Sequence, residues 1–255
     1  MSEHLTSPDV YVHVPKAAGT SLNSRLIQTH GAKNAYAYDD RTDKLYRADR
    51  RVMKRENTSG RLDKLIQLTP PAAVRLAVRF WENAATSDDK AFQRAAVIFG
   101  HFAVDRFDDV EDASDASYRV VVREPLDRMV SHYRFSQQQR GYAPALRGWM
   151  SGQDIDLAFP DFALDASVHN FQTRYTGTDP NRYDLIGTVD RLPAFLATAG
   201  LIESGSVVPF KNKTKWEGRP ADPILNDPGF QRDFQAAHAA DYEFYQAALD
   251  RQSVL

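Results

Sequence analysis

The sequence predicts an α/β protein with a central parallel sheet flanked by helices. Three observations lead there: four short apolar runs rich in β-forming residues, helical periodicity between them, and turn residues where the two patterns meet. The first run covers residues 10–14, Val-Tyr-Val-His-Val, and is stopped by Pro15. Gly19, Thr20 and Ser21 then lead into a segment, 22–27, that can be helical.

Residues 28–60 are polar and rich in Tyr, Asp and Arg with no clear strand, so an excursion carrying part of a binding surface is expected there. Between 62 and 80 the apolar positions suit a helix broken by Pro70 and Pro71. The second run, 95–99, is closed by Gly100 and His101. The third, 118–122, is the cleanest strand, and Pro125 after it suits the first turn of a helix with an apolar stripe of Leu126, Met129, Val130 and Tyr133. Helical spacing recurs over 163–175, a short strand over 183–187 and a helix over 190–199. A loop rich in Lys, Gly, Pro, Asp and Asn fills 211–228, and a last helix runs over 231–249. Without an internal repeat, low-complexity linker or visible boundary, residues 1–255 are expected to form one domain, with a polar insertion at 28–60 and the loop 211–228.

Composition narrows the function classes. The chain of 255 residues is 42% hydrophobic and 26% charged, as globular proteins are. No apolar run approaches membrane-spanning length, and the start, Met-Ser-Glu-His, lacks the basic and apolar regions of a secretory signal. A cytoplasmic protein without membrane insertion is expected. There is no cysteine, which removes disulfides, thiolate nucleophiles and thiolate metal sites. Seven scattered histidines show no metal-ligand spacing, so no metal is expected. A formal net charge of -2 gives no global reason to bind a nucleic acid polymer.

The charge is uneven, however. Arg41, Lys44, Arg47, Arg50, Arg51, Lys54, Arg55, Arg61 and Lys64 crowd one stretch, and Lys211, Lys213, Lys215 and Arg219 another. Each is either a solvated face or a wall that attracts an anion.

Two segments carry the chemistry. The first is Tyr11-Val-His-Val-Pro-Lys-Ala-Ala-Gly-Thr-Ser21, a strand, tight loop and helix start. Unpaired N–H groups and the dipole at a helix N-terminus favour an anion, Gly19 permits close backbone approach, and Thr20 and Ser21 add hydroxyl donors. Lys16 supplies a mobile cation for charge developing on a phosphate bridge. It precedes Gly19, so the segment is not the usual Gly-x-x-x-x-Gly-Lys-Ser/Thr loop; alone it reads equally as an ordinary turn. The second segment is Arg123-Glu-Pro-Leu-Asp-Arg128-Met-Val-Ser131-His-Tyr133. Arg123 leaves the strand end, and Arg128 and Ser131, three apart on a helix, can share a face. A guanidinium with a serine hydroxyl suits a second phosphate; a strand-to-helix junction with surface arginines is the plainer reading.

Together the two segments resemble the signature regions of the sulfotransferases that use 3'-phosphoadenosine 5'-phosphosulfate (PAPS), nearest the carbohydrate, heparan sulfate 2-O-sulfotransferase-like branch. Further similarity lies in Phe99-Gly-His-Phe102, Asn170-Phe-Gln-Thr-Arg-Tyr175, Ile186-Gly-Thr-Val-Asp190 and Asp241-Tyr-Glu-Phe-Tyr245. The resemblance implies a P-loop-NTPase-like sulfotransferase fold and PAPS as donor, with the 3',5'-bisphosphate PAP as product. It places Lys16, Ala17, Ala18, Gly19, Thr20 and Ser21 on the 5'-phosphosulfate and Arg123 and Ser131 on the 3'-phosphate. Asn212, Lys213 and Thr214 resemble the late segment that closes over the donor.

For the acceptor hydroxyl, His101 is the leading base, since it follows a strand end and histidine titrates near neutrality; the related enzymes also carry a Gly-His segment here. A histidine that merely packs under the strand end is the plainer reading. His13 reads as a core or edge residue, His132 projects away from Ser131, His169 has no readable partner, and Glu82 and Asp105 are reserve bases. Tyr36, Tyr38, Arg41, Arg47, Arg50, Arg51 and Trp81 could line an acceptor cleft or pack. A small-molecule or carbohydrate hydroxyl, intracellular rather than a long exported polymer, is the expected acceptor. A small-molecule kinase and a noncatalytic binder of an anionic sugar or nucleotide are the rival readings. The kinase lacks the usual loop order and a clear carboxylate pair for Mg²⁺.

Overall fold

The computed structural model of the chain describes residues 7–40, 43–49, 85–138, 156–206 and 223–252. Six strands form one sheet: β1 (Asp9–His13), β2 (Ala35–Asp39), β3 (Lys44–Arg47), β4 (Val97–Gly100), β5 (Ser117–Val122) and β6 (Leu185–Thr188). Their order across the sheet is β3-β2-β4-β1-β5-β6. Every pairing is parallel except β2 with β3.

Alternation along the strands builds two cores. Val10, Val12, Tyr36, Tyr38, Ile98, Val120, Val122 and Ile186 point to one face, where Phe92, Phe107, Phe244 and Ala248 cover them. Tyr11, Ala35, Ala37, Val97, Phe99, Val121 and Leu185 point to the other and meet helices α1 (Gly19–His30) and α6 (Leu192–Thr198). In α1 the facing residues are Leu22 and Leu26, four apart on one stripe and at most 1% exposed, each worth about 1.5–3 kcal/mol of burial. Gly31, left-handed at φ 78°, ends α1 with its N–H on the carbonyl of Ile27.

Phe92 ends the short α2 (Asp88–Phe92). A third core lies beyond the sheet, where Met129 of α3 (Pro125–Gln138) packs with Phe159, Phe162 and Ala163 of α4 (Phe159–Ala163) and with Phe230 and Phe234 of α7 (Pro228–Ala237). Between these lie α5 (Thr173–Thr176) and, last, α8 (Ala239–Gln252), whose Gln252 Oε1 accepts from the Thr188 hydroxyl at 3.0 Å. Among the described residues no helix is long and apolar enough to cross a membrane.

The four apolar runs are all strands, displaced by one or two residues, and Pro125 is the first residue of α3. Three expectations need correction. The region 28–60 does contain strands: β2 and β3 pair antiparallel, Tyr38 with Leu45. β2 reads Ala-Tyr-Ala-Tyr-Asp, whose period-2 alternation is real but carries no β-branched residue. The helix over 163–175 is broken into α4, a 3-10 turn at Ala166–Val168 and α5; Asp165 accepts from Ser167 N–H, and Asn170 is left-handed at φ 47°. The last helix is two, α7 and α8, parted at His238. There His238 Nδ1 accepts from Asn170 N–H at 3.2 Å and Nε2 faces the Ala163 carbonyl at 2.9 Å. The stretches 62–80 and 211–222 lie outside the described residues.

Candidate functional site

The sheet order fixes where a ligand can sit. From β1 the chain leaves through α1 towards β2 on one side; from β5 it leaves through α3 towards β6 on the other. The crevice between the carboxyl ends of β1 and β5 is therefore a topological switch point, the usual ligand position in open α/β sheets. Lys16 follows β1 and Arg123 follows β5, so both cations stand at its lip. His101 follows β4, the neighbour of β1 on the other side.

Between β1 and α1 the backbone is held in an unusual shape. Lys16 (φ 70°) and Ala18 (φ 60°, ψ 16°) are both left-handed, a conformation costing about 1–2 kcal/mol at each non-glycine residue. Between them the Ala17 N–H donates to the Val14 carbonyl at 3.2 Å, which closes the turn ahead of α1. Ala18 stands at the cap position of α1 and makes no side-chain capping bond. Strain of this kind, concentrated in one loop at a switch point, is typical of a binding site.

Lys16 is half-buried with Nζ 4.2 Å from the centre of the Phe135 ring. Burial, reinforced by the nearby Arg123 cation, lowers its ammonium to about 8. Lys16 and Arg123 follow the neighbouring strands β1 and β5, and an anion between them would relieve their repulsion. Phe135 and Ser131 are four apart on α3 and share a face, so Ser131, half-buried, lies along the side that Lys16 approaches. Lys16 and Arg123 thus flank one crevice, and Ser131 lies on α3, the helix that follows Arg123.

Arg128 is not part of it. The side chain is fully buried, 3.1 Å from His132 Nδ1 and 4.6 Å from the centre of the Phe171 ring, and burial lowers its pKa to about 10. The expected face shared by Arg128 and Ser131 is replaced by a division: α3 turns Arg128, Met129 and His132 inward and leaves Ser131 at the crevice. Of the two arginines in the segment, Arg123 is the one with a partly exposed side chain, at 31%, its guanidinium 4.0 Å from Asp127.

On the other flank His101 stacks on His13, ring centres 4.0 Å apart, and His101 Nδ1 is 2.7 Å from the His13 carbonyl. A carbonyl only accepts, so in the neutral ring Nδ1 carries the proton and Nε2 the lone pair. That is the tautomer a general base needs. His13 is more than an edge residue: a Cβ on Gly19 would come within 1.2 Å of His13 Nε2. Gly19 is required by this imidazole, a reason separate from phosphate approach. Likewise a Cβ on Gly100 would lie 2.7 Å from Tyr38 Cβ, so Gly100 lets β2 close against the strand end beside His101.

Tyr36 and Tyr38 are buried and belong to the core rather than to a cleft, and Arg47 pairs with Asp49 at 2.6 Å. Asp105 is exposed on a 3-10 turn. Asn212, Lys213, Thr214, Arg41, Arg50, Arg51, Trp81 and Glu82 lie outside the described residues. Among the described residues no cluster of three or more His, Asp or Glu could hold a metal ion. A groove of about 660 Å³, lined by Asp108, Glu111, Tyr118, Arg182 and Asp184 among others, opens near the amino ends of β5 and β6. It is at the opposite end of the sheet from Lys16, His101 and Arg123.

Sequence reasoning overlooked Gln172. Its amide clamps Arg123 at both backbone groups: Arg123 N–H donates to Oε1 at 3.0 Å, and Nε2 donates to the Arg123 carbonyl at 2.8 Å. Gln172 N–H and Thr173 N–H in turn donate to the buried Asp241 carboxylate at 3.1 and 2.9 Å. The segments around 170–175 and 241–245 were visible as motifs, but not what they hold.

No curated protein matches the chain. A crystal structure of a sulfotransferase from Alicyclobacillus acidocaldarius is 15% identical over 94% of each chain, with a TM-score of 0.37. The model of the sulfotransferase family matches residues 9–183, which include both signature segments, His101 and Gln172. With well over half its length matched, the chain belongs to the sulfotransferase family.

Proposed function

We propose that the chain transfers a sulfuryl group from PAPS to a hydroxyl of a carbohydrate or small-molecule acceptor. One observation carries this reading: across the carboxyl ends of three adjacent strands stand a neutral-tautomer histidine, a lysine in a left-handed loop, and an arginine, in that order. The outer two strands are two spacings, about 10 Å, apart. On this reading the acceptor lies beside His101 and the diphosphorylated nucleotide towards Arg123.

The donor supplies an activated sulfuryl group on its 5'-phosphate. We assign the amides at the start of α1 and the hydroxyls of Thr20 and Ser21 to that phosphosulfate, although Ser21 is buried in this structure, at 5% exposure. Lys16 offsets the charge that gathers on the bridging oxygen as the S–O bond to phosphate breaks. Arg123 and Ser131 hold the 3'-phosphate. His101 Nε2 takes the proton of the acceptor hydroxyl as its oxygen bonds to sulfur in line with the leaving phosphate. The protein forms no covalent intermediate, and the atoms balance as acceptor sulfate, PAP and one proton.

The test is single-turnover transfer of sulfur-labelled sulfuryl to a panel of sugar and small-molecule hydroxyls. Lys16→Ala and His101→Ala should each slow the chemical step by about 10²–10⁴-fold while leaving PAP affinity within a few-fold for His101→Ala. Full turnover in His101→Ala would remove the base assignment; turnover on no hydroxyl in the panel would remove the acceptor class.

A further inference from the structure

The clamp on Arg123 has a consequence for donor recognition. Gln172 is 1% exposed, and its amide runs alongside the end of β5 as an extra strand would, engaging both the N–H and the carbonyl of one residue. Those two bonds orient the peptide planes on either side of the Arg123 Cα, which sets the direction in which its side chain leaves the sheet. Among the described residues the guanidinium has one loose tether of its own, 4.0 Å to Asp127. Its aim is therefore set from the backbone.

The amide is itself held at its root. Asp241, 1% exposed, receives Gln172 N–H and Thr173 N–H on its two oxygens, and Asn170 Oδ1 receives the N–H groups of Ala240 and Asp241 at 3.1 and 3.4 Å. Two buried polar side chains, Gln172 and Asp241, beside the half-buried Asn170 are costly to desolvate unless each is paired. Apolar residues would close the end of a strand at less risk. What the polar chain adds is direction, delivered at the residue whose guanidinium stands at the crevice.

We propose that Gln172 is a positioning residue for donor selection: by clamping Arg123 it aims the guanidinium at the 3'-phosphate and so sets the preference for a 3',5'-bisphosphate over a 5'-monophosphate nucleotide. This rests on the PAPS reading above. Asp241 and Asn170 support the same clamp from α8 and from the turn before α5.

The experiment measures affinity by calorimetry for adenosine 3',5'-bisphosphate and for adenosine 5'-phosphate. The proteins are the wild type, Arg123→Ala, Gln172→Leu and the double variant, with Gln172→Glu as a same-shaped second variant that cannot donate to the Arg123 carbonyl. Thermal melting first establishes that each is folded at the assay temperature. A misaimed Arg123 should cost bisphosphate affinity about ten-fold in either Gln172 variant while monophosphate affinity stays within about two-fold. In the Arg123→Ala background Gln172→Leu should have no further effect, because the group it aims is gone. Equal loss of both nucleotides in the Gln172 variants, or selectivity kept in them but lost in Arg123→Ala, would overturn the positioning role and leave the donor reading standing. A wild type without preference for the bisphosphate would overturn the donor reading and this role with it.

Discussion

Lys16 is poised between two demands. Its left-handed backbone places it at the crevice, yet burial and Arg123 together draw its ammonium down to about 8. Below that pH the cation is present; above it the amine is neutral and offsets no charge on a leaving oxygen. Plotted against pH, kcat/KM for the donor, which reports the free enzyme, should fall about ten-fold per unit above pH 8. Arginine stays charged throughout this range, so in Lys16→Arg the alkaline fall should vanish from whatever activity remains. An unchanged fall in that variant would assign it to another group.

Gly19 gives a second prediction at the same scale. Any side chain there meets the His13 ring, so Gly19→Ala must displace α1 or break the stack of His13 on His101. The expected loss of stability is about 1–3 kcal/mol, as for overpacking elsewhere. Adding His13→Ala should recover part of it, measured by thermal melting of the single and double variants. A Gly19→Ala protein that melts like the wild type would contradict the contact.

Among the elements, the junction of α7 and α8 shows how polar residues decide where helices end. Helical spacing runs without interruption across residues 231–249, and only His238 breaks it, by bonding to Asn170 and Ala163 on other elements. Burial lowers its pKa to about 4, against 6.5 in an unfolded chain. The unfolded state thus takes up a proton first: stability from this group is complete above pH 6.5 and is lost as pH falls from 6.5 towards 4. The loss should reach on the order of 3 kcal/mol. Urea unfolding at pH 7 and pH 4.5 checks this, with His238→Phe expected to lose that part of the pH dependence whatever its stability at pH 7. The same pH dependence in His238→Phe would place the titration elsewhere.

Over the whole molecule, what the sequence disclosed follows from range. β1, β4, β5 and β6 are apolar runs whose signal is local, and the helix starts at Gly19 and Pro125 are marked by adjacent residues. β2 was hidden because alanine and tyrosine alternate without branched side chains, and its strand character comes from pairing with β3 and β4. The site shows the same division. Lys16, His101, Arg123 and Ser131 lie in contiguous motifs, whereas the Gln172 clamp joins residues 49 apart and the His13 ring meets a glycine six positions on across a turn. Arg128 was misplaced because helical spacing tells which residues share a face but not which face the third core will cover.

Under the proposed function, selection of the donor by both of its phosphate groups rests on the two signature segments at the switch point between β1 and β5. Its most direct measurement compares the rate of sulfuryl transfer from PAPS with that from adenosine 5'-phosphosulfate, which lacks the 3'-phosphate, beside ATP as a phosphoryl donor. Two charge-assisted contacts at Arg123 and Ser131 predict a kcat/KM at least about 10²-fold higher for PAPS, with no phosphoryl transfer from ATP. Equal rates from the two sulfuryl donors, or transfer of phosphate from ATP without sulfated product, would contradict it.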